Sequence, residues 1–125
     1  MYPTDRRYSK DHEWIVVDGA HAVIGITEFA QQELGDIVYV EMPEAGVEVK
    51  PGDVLGTIES VKAVSEILAP VAGRVIESNA ALDGKPETVN QDPHGEGWYC
   101  KLELSNPGEL DDLMDADGYR ELVGG

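Results

Sequence analysis

Basic residues are scarce in this 125-residue chain: nine Lys and Arg stand against 25 Asp and Glu, for a formal net charge of -16. Such a surface repels the phosphates of nucleic acids and anionic lipid, and no basic stripe offsets it. Neither nucleic acid nor membrane is therefore expected as a partner. The acidity serves solubility, and it also steers the chain towards basic faces on partner proteins. Cysteine is scarcer still. Cys100 is the single thiol, which excludes an intrachain disulfide and fits a reducing compartment. One cysteine and three scattered histidines give no zinc-ligand spacing. Phosphate-loop and dinucleotide glycine motifs are missing too. No apolar run approaches the roughly 18 residues needed to cross a bilayer. The opening stretch MYPTDRRYSKDHEW has no apolar signal core and is too short and acidic for a transit peptide. With Met1 at the start, a cytoplasmic protein made at its final size is expected.

What is present reads as a β-rich domain. At 42% hydrophobic residues the composition is ordinary for a globular chain, and the length suggests one domain over 1–125. Trp14 to Val17 and His21 to Ile26 flank Asp18-Gly19, a hairpin signal. Thr27 is suited to cap a short helix over Glu28 to Leu34, closed by Gly35. Strands are expected over Asp36 to Met42, Val47 to Val49, Val54 to Ser60, Ala63 to Ala69, Arg74 to Ser78 and Trp98 to Leu104. Asn79 to Gly97, rich in turn residues, reads as an ordered surface loop. Asn106-Pro107-Gly108-Glu109 marks the start of a helix running to about Met114, and Tyr119 to Val123 suits a last helical turn. Strands at this spacing predict an all-β sandwich or barrel-like domain with helices at its edges. The core spans about 8–104 and a helical segment about 106–123.

One turn lacks the residues that turns want. In IESVKAVSEIL, Ile58 to Leu68, two strands meet at Val61-Lys62 with no Gly, Asn or Asp at the centre. A two-residue hairpin loop favours positive φ, which a β-branched valine resists. The turn is therefore of another type, or strained. A broken local rule in an otherwise consistent segment marks a candidate functional position, here a lysine lifted to the tip of a stiff β finger.

The wider segment GTIESVKAVSEILAPVAGRVIESN resembles the attachment segment of biotinyl and lipoyl carrier domains, whose fold is a barrel-sandwich hybrid. Biotin carriers place methionines beside the lysine, and lipoyl domains of the 2-oxoacid dehydrogenases an aspartate before it. Val61 and Ala63 match neither. ESVKA looks like the glycine cleavage H-protein family, and YSKDHEW, IGITEFAQQELGDIVYVEMPEAG, VNQDPHGEGW and NPGELDDLMDADGY are similar to its other stretches. The likeness runs from Tyr8 to Leu122.

That resemblance implies lipoate on Lys62 and no catalysis by the chain itself. It implies a monomeric shuttle for aminomethyl groups and reducing equivalents. The implied partners are a pyridoxal-phosphate glycine decarboxylase, a tetrahydrofolate-dependent aminomethyltransferase and dihydrolipoyl dehydrogenase. A lipoate ligase or a lipoyl/octanoyl transferase would load the lysine, reading Glu59 and the finger's shape, with Gly73 allowing a tight backbone path. Glu13 is the first candidate to hold the amine of the loaded arm, with Asp11, His12 and Glu66 behind it. Two other readings are a lipoyl or octanoyl relay to other carriers and an interaction module with no lipoate. A thiol dyad of Cys100 with His94 or His12 is not expected, because Cys100 sits in an alternating strand.

Overall fold

The computed structural model describes residues 2–124. Its strands are β1 (Arg7–Tyr8), β2 (Glu13–Asp18), β3 (His21–Ile26), β4 (Ile37–Glu41), β5 (Glu48–Val49), β6 (Val54–Ser60), β7 (Val64–Leu68), β8 (Gly73–Ser78) and β9 (Cys100–Leu104). Its helices are α1 (Glu28–Leu34), α2 (Ala81–Gly84), α3 (Thr88–Gln91) and α4 (Ala116–Val123), with a 3-10 segment at Pro107–Asp112. A six-stranded sheet in the order β1-β2-β3-β9-β8-β5 packs on a three-stranded sheet in the order β4-β6-β7. All pairings are antiparallel. The architecture is the expected all-β one with short peripheral helices; the sheets stay open and do not close into a barrel.

Inward residues of both sheets make the core. Ile15, Ile24, Val75 and Leu102 from one sheet meet Val40, Ile58 and Ile67 from the other, all buried. A satellite cluster of Tyr8, Trp14, Ala116 and Tyr119 lies under α4. The Tyr8 and Tyr119 rings stack at 4.9 Å, and Tyr8 exchanges backbone bonds of 2.8 and 2.9 Å with Met114. These contacts bind the C-terminal segment to the outer strand β1.

Local chemistry explains most boundaries. Thr27 Oγ1 accepts from Ala30 N–H, and Glu28 opens the first turn, where its charge suits the helix dipole. Gly35 closes α1 at φ 81°, a value that a side chain would strain. The β2–β3 loop is shifted by one residue from expectation. Asp18 pairs with His21, so Gly19-Ala20 is the loop, with Gly19 at φ 68° in its first position. That is the type II′ preference.

The stretch from Asn79 to Gly97 departs further from the loop reading. It contains α2 and α3, held down by buried Leu82 and Val89. Asn79 Nδ2 donates to the carbonyls of Glu96 and Trp98, tying the ends of the segment together. Helices of a single turn carry no apolar period, so turn-rich composition hid them. After Asn106 the chain forms a 3-10 helix rather than an α-helix, ending at Asp112. The last helix is longer than the single turn expected, because Asp115 caps it at Gly118 N–H.

Candidate functional site

Ser60 resolves the turn that Val61-Lys62 makes difficult. Its Oγ accepts from Lys62 N–H at 3.3 Å and from Ala63 N–H at 3.0 Å, replacing the backbone acceptor a primed turn would use. Ser60 N–H donates to Ala63 O at 2.8 Å. Among the described residues only His12 combines a side chain with positive φ, so Val61 is unstrained. The loop is thus of another type, one of the two outcomes expected. Ser60 stood in the sequence as a strand end, and its small hydroxyl was the signal for this cap.

A second brace reaches the tip from the link between α1 and β4. Val61 N–H donates to Asp36 O at 3.0 Å. Asn90 on α3 holds that segment in turn: its Oδ1 accepts from Ile37 N–H at 2.8 Å, and its Nδ2 donates to Gly35 O at 2.8 Å and Gln31 Oε1 at 2.9 Å. A β-carbon on Gly35 would stand 3.4 Å from Lys62 Cε. The lysine stem therefore leaves the finger alongside the end of α1, and Lys62 is exposed.

Beside α1 lies a cleft of about 280 Å³ lined by Asp11, His12, Phe29, Ala30, Glu33, Leu34 and Ser65. Phe29, Ala30 and Leu34 give it apolar surface and Asp11 and Glu33 give it carboxylates, a lining that suits an aliphatic chain ending in an amine. His12 lies just before the strand that begins at Glu13. It occupies the turn before β2 at φ 71°, a left-handed conformation costing about 1 kcal/mol. The turn is held by His12 N–H to Ser9 O at 3.1 Å and by Thr27 N–H to His12 O at 3.0 Å. The imidazole Nδ1 meets Tyr119 Oη at 2.8 Å, which also meets Thr27 Oγ1 at 2.7 Å. The ring packs on Phe29 at 4.8 Å.

Glu13 is 2% exposed, a buried carboxyl at the start of β2. Its Oε1 accepts from Ser9 Oγ at 2.7 Å and its Oε2 from Leu68 N–H at 3.3 Å. β7 is an edge strand, and this carboxylate joins its free side to β2 of the other sheet. Burial pushes the Glu13 carboxyl up to about 7, against the pull of the Ser9 and Leu68 donors. Asp11 and His12 line the cleft, with Glu13 next to them in the chain. Glu66 stands apart, exposed on the opposite face of β7 from Ser65.

Glu59 is exposed on β6 between Tyr39 and Val64. Gly73 is buried at the start of β8, in the sheet that does not carry Lys62. A β-carbon there would lie 2.6 Å from Glu103 O, so close packing against β9 forbids a side chain. Cys100 is fully buried, and burial raises its thiol to about 12. Among the described residues no cluster of His, Cys, Asp and Glu could hold a metal ion, and no helix is long and apolar enough to cross a membrane.

Known proteins share this sequence and shape. Residues 6–124 match the Glycine cleavage H-protein family. The glycine cleavage system H protein of Symbiobacterium thermophilum is 56% identical over 117 residues, covering 94% of this chain and 91% of that protein. Its counterpart in Staphylococcus haemolyticus is 53% identical, covering 98% of this chain and 97% of its own. The crystal structure of a glycine cleavage system H protein from Mycobacterium marinum superposes with a TM-score of 0.91 at 37% identity, covering 99% of this chain and 100% of that one. On sequence along nearly its whole length and on the shape of both sheets, the chain belongs to the glycine cleavage H-protein family.

Proposed function

We propose that Lys62 carries lipoate in amide linkage and that the cleft beside α1 receives the arm. Family membership makes the chain the lipoyl-carrying shuttle of the glycine cleavage system, a carrier subunit and not an enzyme. The observation that supports Lys62 as the attachment point is its exposed position on a turn fastened by Ser60 Oγ and Asp36 O. The lipoyl group, when attached, supplies a disulfide able to take up an aminomethyl group and reducing equivalents.

This chain's residues do the positioning. The finger holds the root of the arm still, and the Lys62 stem passes Gly35, the residue that follows Leu34 of the cleft. Phe29, Ala30 and Leu34 exclude water from an aliphatic chain lying there. Asp11 provides negative charge for an amine at its end, with His12 held by Tyr119; Glu13, buried behind them and raised to about 7, ionises in that role when an ammonium comes within reach. Glu66 would join them only through movement of β7. Glu59 presents a carboxylate to the modifying enzyme, and Gly73 acts through backbone shape alone.

In this reading the partners are the pyridoxal-phosphate glycine decarboxylase, the folate-dependent aminomethyltransferase, dihydrolipoyl dehydrogenase and a lipoate ligase or lipoyl/octanoyl transferase. The chain works as a single domain and a monomer in the cytoplasm. Incubation with a lipoate ligase, lipoic acid and ATP tests the attachment. Intact mass should rise by one lipoyl group, fragmentation should place it on Lys62, and Lys62→Arg should stay unmodified. Modification of Lys62→Arg, or of another lysine in the wild-type protein, would overturn the assignment.

A further inference from the structure

Tyr39, Glu59 and Val64 lie opposite one another across β4, β6 and β7. They therefore share the outer face of the three-stranded sheet. Val40 and Ile58 take the inner face and are buried. The outer row is open: Tyr39 is 51% exposed and Val64 65%. A bulge between Ile37 and Tyr39 sets Val38 out of the ladder, where it too is 51% exposed. Val61, next to the lysine, is 69% exposed. These side chains form an apolar strip at the lysine end of the sheet. The next row outwards holds Glu41, Thr57 and Glu66, so carboxylates border the strip and Glu59 stands within it.

We propose that this face seats the enzyme that acylates Lys62, through an apolar shelf on that enzyme with a lysine- or arginine-bearing rim. The inference rests on Lys62 being the modified residue. Acylation takes place at Nζ, so the acylating enzyme has to enclose the amine and cover whatever lies beside the turn. Catalysts that act after loading meet the far end of the arm, a full acyl chain away from this strip. Charge points the same way, because Glu41 and Glu66 at the border and Glu59 within the strip, on a chain of net charge -16, favour a cationic partner and speed its encounter. β4 and β7 are both edge strands; the bulge discourages simple strand addition at β4, and the docking proposed is side-chain contact across the outer face.

Steady-state lipoylation by a lipoate ligase with lipoic acid and ATP tests this, using wild type, the double variant V38S/Y39S, Val64→Ser, and Val17→Ser as an exposed apolar control on β2. The strip variants should lose about tenfold or more in kcat/KM, mainly through KM, with the control near wild type. Urea unfolding confirms that each variant is folded. If V38S/Y39S fails to fold, Val64→Ser and Val61→Ser read the same strip. Strip variants within about twofold of wild type would overturn the docking surface while leaving Lys62 as the acceptor. Acylation elsewhere than Lys62 would instead overturn the attachment reading. Lipoylated variants should still be reduced by dihydrolipoyl dehydrogenase with NADH as the electron donor at the wild-type rate; a matching loss there would assign the strip to that catalyst and refute the occupant proposed.

Discussion

Replacing Glu13 by glutamine should make folding clearly more stable at pH 8, and by only about a quarter as much at pH 5. The Glu13 carboxyl is shut away from solvent and receives only two donors, Ser9 Oγ–H and Leu68 N–H. Burial dominates those donors and lifts the carboxyl from 4.5 to about 7. The unfolded chain releases this proton near the lower value, while the folded chain keeps it until the upper one. Between the two the folded state binds more protons, so stability falls as pH rises and levels off above about 7. The interval from 4.5 to about 7 corresponds to a loss of about 3 kcal/mol. Glutamine keeps the shape: its carbonyl can take the Leu68 N–H and its amide can face Ser9 Oγ. It carries no charge to desolvate, so its stability lacks this slope. Every other titrating group is common to both proteins and cancels in the difference. Urea unfolding of both at pH 5, 6, 7 and 8 measures it. A difference that does not change with pH, or a glutamine variant less stable than wild type at pH 8, would refute the reasoning. A carboxylate kept at such a cost fits a group awaiting an ammonium, and E13Q should bind the loaded arm less well for the same reason.

Asn90→Ala removes the three hydrogen bonds that hold residues 31–37 to α3. The loss should be about 2 kcal/mol, and hydrogen exchange should quicken at Val61 N–H; unchanged exchange there would show that the Asp36 brace does not depend on Asn90. Cys100, buried and with its thiol raised to about 12, should resist a thiol-reactive dye in the native state and react fully in urea. Rapid native labelling would contradict its placement in β9.

Residues that act on near neighbours are legible in the sequence itself. Thr27 caps α1 and Gly35 ends it because both effects operate within one turn of chain. Lys62 stands on a finger because strand signals on either side force a reversal there. The type of reversal was open, since it depends on where the Ser60 hydroxyl points. Glu13 was picked out only through family likeness. Nothing in the alternating run around it distinguishes a buried carboxylate from a solvated one. Gly73 carries no positive φ, and its need for glycine arises from β9 pressing against it. Glu66 was grouped with Asp11 and His12, yet strand alternation places it on the far side of β7.

By itself the sequence determined most of the strands, the start and end of α1, the acidic surface and the lysine at a chain reversal, because composition, capping and period-two alternation are properties of the chain at short range. Tertiary structure alone decided which strands became neighbours, and hence that Leu68 meets Glu13, Asn90 meets Gly35, and Tyr39, Glu59 and Val64 fall into one row. Those meetings join residues far apart in the chain. Desolvation, register and shape arise only when the two sheets close over their common core.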